Sequence, residues 1–345
     1  MKYRKEQLYR YKKYIAIHAR HISARKLLNL LRVEWRLKTN NPDLRGLYPY
    51  ILFVDITSAC NLRCPLCTMG QRNMIPRKSQ MDVEHYRRIV EPLKDHLFQV
   101  FLYNWSEPLL SRHVFDIISL NRLCNIGSVI SSNLSLPIDG ERLVASGLEY
   151  LIVSADGLSQ EVYETYRVGG DICLVAENLS SIIRARKKAK SKHPFIEWQC
   201  LVTRKNESEL EELKAFAYEL GVDAVRFANL NLFSADGELE AIEKEWLPSN
   251  PSFRYFESTR LPDIKTQERL PCYWLWRTAI VNPNGGITPC CLYDTVDWGN
   301  AFEIPFLKVW NNGLYQASRR LSLRESSDPD VQTVCHECNA PFIYR

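Results

Sequence analysis

Between residues 49 and 230 short apolar runs alternate with stretches whose apolar residues recur at helical spacing. The runs at 50–57, 97–103, 128–132, 150–155, 196–202 and 224–229 are rich in β-branched and aromatic residues and predict strands. The stretches between and after them, near 80–93, 112–124, 139–146, 159–167, 173–190 and 206–220, predict helices. The last shows its end signals: Asn206 as capping residue, acids in the first turn, and Gly221 as the stop. Six β/α units in succession imply a parallel sheet with right-handed crossovers, either an open doubly wound sheet or a partial barrel. In both, ligands collect where the strands end.

The pattern differs on either side of this region. Residues 1–48 predict a basic helical extension, in which Leu27, Leu28, Leu31 and Trp35 fall at i, i+1, i+4 and i+8, the stripe of an amphipathic helix. That stripe is expected to dock on the main domain and leave the charged face in solvent. Contact with an acidic partner or a membrane surface is the sharper alternative. Residues 231–271 are rich in Pro and polar residues and predict a linker or wrapping segment. Residues 272–345 hold too few periodic elements for a large core, so a small domain tied by metal is expected.

Composition changes this picture mainly through charge and cysteine. The 345 residues carry a formal balance of +5, but residues 1–40 hold twelve Lys/Arg and two acids, so the rest of the chain is mildly acidic. Overall basicity is therefore no argument for a nucleic-acid partner. No apolar run is long enough to span a membrane, and no apolar segment of a secretory signal follows the basic start, so a cytoplasmic location is expected. In that compartment disulfides are rare, and 11 cysteines point to metal ligation or catalysis.

The cysteines are grouped. Cys60, Cys64 and Cys67 form C-x3-C-x2-C directly after the first predicted strand, in a turn-like segment. Thiolates are the usual ligands of iron-sulfur clusters, and three on a four-iron cluster leave one iron open for a substrate or cofactor. A structural zinc site needs four protein ligands, and no fourth Cys or His lies nearby in sequence. Cys272, Cys290, Cys291, Cys335 and Cys338 form a second group, for which zinc and an iron-sulfur cluster are both admissible. Cys124, Cys173 and Cys200 are scattered and are expected to pack as small hydrophobes.

The cysteine loop and the β/α region after it resemble the radical S-adenosylmethionine (radical SAM) superfamily. Asn104-Trp105-Ser106-Glu107-Pro108, after the second strand, is similar to the family's Gly-Gly-Glu segment, with Glu107 the residue that carries over. Ser132-Asn133 and Ser154-Ala155-Asp156-Gly157, at the next two strand ends, resemble segments that line the cofactor or substrate side. Tyr166-Arg167-Val168-Gly169-Gly170 is similar to a segment whose arginine pairs with the methionine carboxylate. Carboxylate near the ammonium and guanidinium near the carboxylate is the arrangement a zwitterion needs. As bland alternatives, Glu107 or Asp156 caps the following helix, and Arg167 lies on the surface at a helix end.

The resemblance implies a partial (β/α)6 TIM-like barrel and a [4Fe-4S] cluster on Cys60, Cys64 and Cys67, chelated by S-adenosylmethionine. Reductive cleavage then yields a 5′-deoxyadenosyl radical that abstracts hydrogen from substrate. The C-terminal cysteines resemble the SPASM/twitch auxiliary-cluster domain, in a shortened form with one further [4Fe-4S]. Its implied ligands are Cys272, Cys290, Cys335 and Cys338, with Cys291 competing because Gly286-x4-Cys291 fits as well as Gly285-x4-Cys290. A non-ligating Cys291 is expected to pack, with hydrogen-atom donor as the sharper alternative, a role also open to Cys124, Cys173 or Cys200.

The expected function is a radical SAM oxidoreductase or epimerase acting on a small polar substrate such as a sugar, aminocyclitol or amino acid derivative. It would be served by a one-electron donor such as flavodoxin or ferredoxin. The alternatives are an enzyme that epimerises or crosslinks a ribosomally made peptide, and a non-catalytic metal-binding protein. The short helical N-terminus lowers the weight of a peptide substrate, since such enzymes often carry a separate recognition domain there.

Overall fold

A computed structural model describes residues 2–71, 79–230, 239–254, 272–291, 296–323, 325, 330–336 and 338. Two helices open the chain, α1 (Lys2–Arg20) and α2 (Ala24–Lys38). The β/α region then runs β1 (Ile51–Val54), α3 (Val83–Val90), β2 (Gln99–Phe101), α4 (Val114–Leu123), β3 (Gly127–Ser132), α5 (Gly140–Ser146), β4 (Tyr150–Ser154), α6 (Gln160–Tyr166), α7 (Ile172–Lys188), β5 (Phe195–Val202), α8 (Leu210–Leu220) and β6 (Ala224–Asn229). Beyond it lie α9 (Leu239–Trp246), α10 (Tyr273–Arg277), β7 (Thr278–Val281), β8 (Ile287–Thr288), α11 (Phe306–Trp310) and α12 (Gly313–Ser322). All six predicted strands form, shorter by a few residues where the chain turns into a loop.

The strand order β6-β5-β4-β3-β2-β1-β7-β8 decides between the two sheet types. β1 to β6 lie side by side in chain order and pair in parallel. A doubly wound sheet reverses its order at a switch point, and none occurs here. Helices therefore stay on one side and the sheet curves as a partial barrel. Alternate residues separate the two faces. Leu52, Val100, Ile130, Leu151, Val153, Ile196 and Trp198 pack outwards in one core with Tyr86, Ile118, Leu143, Val175, Ile182 and Leu213 of the covering helices. Val129, Tyr150, Ile152, Phe195 and Ala224 face inwards and form a second core with Tyr14 and Ile17 of α1.

Two features were not foreseen. β7 pairs in parallel with β1, Ile51 opposite Thr278 and Val54 opposite Val281, so the C-terminal region begins by extending the barrel sheet. β8 turns back antiparallel on β7. The turn between them needs glycine: Gly285 has φ +85°, and a Cβ there would lie 2.4 Å from Asn300 Oδ1.

The expected docking of the N-terminal stripe is wrong. Leu27, Leu28, Leu31 and Trp35 are 40%, 48%, 56% and 63% exposed. α2 instead buries Lys26, Asn29 and Val33. Asn29 exchanges two hydrogen bonds with the Tyr48 backbone, the Lys26 ammonium donates to the Asn125 carbonyl, and Glu34 pairs with Arg277 at 2.6 Å. Specific polar partners, rather than leucine area, chose the docked face. α1 docks separately: Tyr14 stacks on Tyr150 at 4.5 Å, and His18 bonds Gln99.

Asn206 does not cap α8, which starts at Leu210 after Glu209. Its buried amide donates to the carbonyls of Asp156 and Leu201 and accepts from the Thr203 N–H, closing the loop after β5. Cys124 and Cys200 pack against the core as expected, whereas Cys173 is exposed in the first turn of α7. Residues 255–271 of the expected linker lie outside the described residues, and so do 292–295.

Candidate functional site

The loop leaving β1 carries Cys60, Cys64 and Cys67, with Cys64 buried and the other two half-buried. Its own Leu62 and Leu66 pack with Tyr166, Leu230, Trp246 and Leu247. Trp246, which meets Tyr166 edge-on at 5.7 Å, is contributed by α9, so part of the expected linker wraps the cysteine loop. The loop closes on itself through Cys67 N–H to Cys64 O (3.2 Å) and Gln71 N–H to Cys67 O (2.9 Å). Gly70 makes that closure possible, since a Cβ there would lie 2.3 Å from Cys64 O and 2.6 Å from Cys64 N. Gly70→Ala is therefore expected to lower the iron bound by this loop, measured per chain after anaerobic reconstitution. Gly313→Ala, at a site with open space around it, is expected to leave iron unchanged.

The next strand ends are tied to this loop. Glu107 is buried; one carboxylate oxygen accepts from Leu109 N–H (3.1 Å) and the other from Asn133 N–H (2.8 Å), and its own N–H donates to Ala59 O. It thus caps the short turn Pro108–Leu110, the bland role, while standing beside the cysteines. Burial pushes its pKa up to about 7, against the pull of the Asn133 and Ser132 hydrogen bonds. The Ser132 hydroxyl also accepts from Leu134 N–H. Asn133 donates to the side chain of Asn61, which lies between Cys60 and Cys64, and Asn61 donates to the Ser135 carbonyl. The Ser154 and Ser131 hydroxyls bond each other at 3.0 Å.

Sequence reasoning missed Asp55. It is buried at the end of β1 and accepts from Asn104 N–H (3.0 Å), Trp105 N–H (2.9 Å) and the Ser106 hydroxyl (2.7 Å). Burial raises its pKa against those three bonds. It positions the segment that leads into Glu107. Its sequence signal was an acid set in the apolar run Ile51 to Ile56.

Asp156 and Arg167 form one unit. The Arg167 Nε–H donates to Asp156 Oδ2 at 2.6 Å, and Asp156 Oδ1 accepts from Leu201 N–H at 2.7 Å. With side-chain exposures of 13% and 0%, the pair is internal, which rules out a surface Arg167. Burial opposes the charge on Arg167, but Asp156 and then Cys64 hold its pKa raised. The backbone of the same turn binds the loop directly, through Arg63 N–H to Val168 O at 3.0 Å. Glu107, Ser132, Asn133, Asp156 and Arg167 thus converge on the cysteine loop, and Ser154 ends the strand between them.

In the C-terminal group, Cys272 precedes α10 and burial pushes its thiol up to about 12, with Cys335 and Cys338 adding to the rise. Burial pushes Cys335 up to about 11 against hydrogen bonds from Ser318 and Thr333. Cys290 and Cys335 both act on the buried Tyr315 hydroxyl. Cys272, Cys335 and Cys338 are thereby gathered, with Cys290 reached through Tyr315, while Cys291 is half-buried beside it in sequence. The His336 ring is hydrogen-bonded to the Thr333 backbone.

Both groups fit iron-sulfur clusters by donor chemistry. Burial also lifts Cys60, to about 12, and raises Cys64, so these thiols become thiolates only when a metal centre displaces their protons. Among the described residues no group of three Cys, His, Asp or Glu side chains is arranged to hold a single metal ion. A cluster presents each thiolate with its own iron and does not need that arrangement.

Comparison with known proteins agrees. Residues 272–339 match the SPASM family, an iron-sulfur cluster-binding domain. The chain is 24% identical over 332 residues to the tungsten-containing aldehyde ferredoxin oxidoreductase cofactor-modifying protein of Pyrococcus furiosus, covering 83% of this chain and 91% of that one. It is 24% identical over 285 residues to the PqqA peptide cyclase of Gluconobacter oxydans, covering 76% of each. Among solved structures, Streptococcus suis SuiB bound to S-adenosylmethionine superposes with a TM-score of 0.60 at 16% identity, over 85% of this chain and 72% of SuiB. A cysteine loop at the mouth of a partial barrel and the match of residues 272–339 lead to one conclusion: the chain carries a SPASM iron-sulfur cluster-binding domain behind a barrel region similar to that of radical SAM proteins.

Proposed function

We propose that this radical SAM enzyme abstracts hydrogen from a small polar substrate held in the barrel, with oxidation or epimerisation as the outcome. The observation that carries the reading is the inner face of the sheet. Phe53, Phe101, Tyr103 and Trp274 cluster there, and Ser131, Ser154, Gln199 and the Arg226–Glu197 ion pair (2.8 Å) share that face by strand register. α1 packs against the inner face at the end where the strands begin, so the polar and aromatic side chains nearer the strand ends are the lining offered to a compact ligand. The second reading, modification of a peptide, is supported by the similarity to PqqA peptide cyclase and to SuiB, which has also been solved with its precursor peptide SuiA.

In this proposal Cys60, Cys64 and Cys67 hold the cluster that binds S-adenosylmethionine, and Cys272, Cys290, Cys335 and Cys338 hold the auxiliary one. The first cluster supplies one-electron cleavage of the sulfonium to methionine and a 5′-deoxyadenosyl radical. Glu107 receives the methionine ammonium and Arg167, held by Asp156, the carboxylate. Ser132, Asn133 and Ser154 line the cofactor side. Tyr166, Trp246 and Leu247 keep water from the cysteine loop. Cys291 is the hydrogen-atom donor if the outcome is epimerisation; Cys200 is packed in the outer core and Cys124 ends α4 where β3 begins. The electron enters from a donor of the flavodoxin or ferredoxin class.

Host extract separated at about 1 kDa, small enough to exclude most precursor peptides, tests the substrate class. Stimulation of 5′-deoxyadenosine formation by the small-molecule fraction is expected, and stimulation by the peptide fraction alone reverses the choice. With the active fraction in deuterated water, deuterium at the reacting carbon marks epimerisation, and loss of two hydrogens marks oxidation.

The raised pKa of Glu107 sets a pH dependence. Above about 7 the carboxylate is charged and receives the ammonium; as pH falls through that value it takes up a proton and the attraction is lost. Affinity for S-adenosylmethionine, measured on reconstituted protein without substrate, is expected to weaken by up to tenfold per pH unit below 7. Glu107→Gln should bind weakly and with a flat profile.

A further inference from the structure

The exposed stripe on α2 has no function in the catalytic reading. Leu27, Leu28, Leu31 and Trp35 lie within about 100° of arc at 100° per residue, a width typical of an apolar helix face. The exposed Ile22 precedes them at the turn from α1. Around this face stand the exposed Arg32 and Lys38 and the half-buried Arg36, while the exposed Arg25 pairs with Asp95 at 2.6 Å. The helix's one acid, Glu34, is taken by Arg277 and Tyr50. The body beyond residue 40 is mildly acidic, so the cations do not belong to a charge spread over the molecule.

We propose that α2 is an interfacial anchor that lays the Leu27, Leu28, Leu31 and Trp35 face into an anionic lipid surface, with Arg32, Arg36 and Lys38 on the headgroups. An apolar stripe of Leu and Trp bordered by long cationic side chains is the composition of helices that lie in the interface plane. Charge separates this occupant from a second copy of the chain. A two-fold dimer through the stripe gathers the cations of both copies, Arg32, Arg36 and Lys38, around one interface, whereas anionic headgroups neutralise them. Position agrees: α2 bonds to Tyr48, Tyr50 and Asn125, all just before strands begin, at the opposite end of the sheet from the cysteine loop. The anchored enzyme keeps its mouth clear of the lipid.

Flotation of the full chain with vesicles tests this, using phosphatidylcholine alone and phosphatidylcholine with about 30 mol % phosphatidylglycerol, enough for a clear negative surface potential. The expected result is binding to the anionic vesicles that weakens with salt. Leu31→Ser/Trp35→Ser should lower partitioning on the order of 100-fold, since two side chains leave the interface. Arg32→Glu/Lys38→Glu should lower it at least tenfold and remove the salt dependence. All four residues face solvent, so both variants should keep wild-type melting and 5′-deoxyadenosine formation. No wild-type binding to anionic vesicles overturns the proposal. So does binding that the Leu31/Trp35 change leaves intact, or a stripe-dependent dimer without vesicle binding.

Discussion

Replacing Cys60, Cys64 and Cys67 together by Ala is expected to halve the iron of the reconstituted protein and to abolish 5′-deoxyadenosine formation from S-adenosylmethionine. The loop is the only cysteine group at the mouth among the described residues, and it is the one tied to Glu107, Asn133 and Arg167. The C-terminal cysteines sit around α10 and α12, apart from those strand ends, so their iron should remain. Iron analysis and chromatographic assay of the nucleoside check both parts. Loss of all the iron would mean that the two groups do not load independently. Continued nucleoside formation would remove the loop from catalysis.

The second large effect is on stability. Asp156→Leu is expected to cost about 3–5 kcal/mol, because it leaves Arg167 charged and almost wholly buried. It also strips the Leu201 N–H of its acceptor. The double change Asp156→Leu/Arg167→Met removes the charge with its partner and should recover most of that loss, as buried pairs replaced by apolar residues of similar volume commonly do. Urea unfolding of the two variants separates these outcomes. Equal destabilisation by both would mean that the Leu201 contact, rather than the ion pair, carries the cost. The double variant should still lack nucleoside formation, since the guanidinium proposed to receive the carboxylate is gone.

The barrel was legible because its strands carry a strong local signal. Val129, Tyr150 and Ile152 face α1 while Ile130, Leu151 and Val153 face the outer helices, so buried strands read as continuous apolar runs between capped helices. The cysteine loop was legible for the opposite reason: three thiols and a turn-like sequence make poor core. What escaped is what depends on partners distant in sequence. Asp55 looks like any strand-end acid until the Asn104 and Trp105 backbone arrives beside it. β7 is only four residues long, and its place beside β1 follows from the sheet edge it finds. α2 shows the limit of periodicity most clearly. The period located an apolar face, but Asn29 and Lys26, with backbone partners at Tyr48 and Asn125, decided which face was docked. Asn206 has the sequence signature of a local cap, but its amide is committed to Asp156 and Leu201.

The central claim is that the loop after β1 holds a cluster that cleaves S-adenosylmethionine. Its most direct test is wild-type protein reconstituted anaerobically with iron and sulfide, reduced, and given S-adenosylmethionine. The account predicts roughly eight iron per chain, as two four-iron clusters require, and 5′-deoxyadenosine formed in equal amount to methionine. Protein that takes up stoichiometric zinc in place of iron, or that binds iron and yields no 5′-deoxyadenosine, would contradict it.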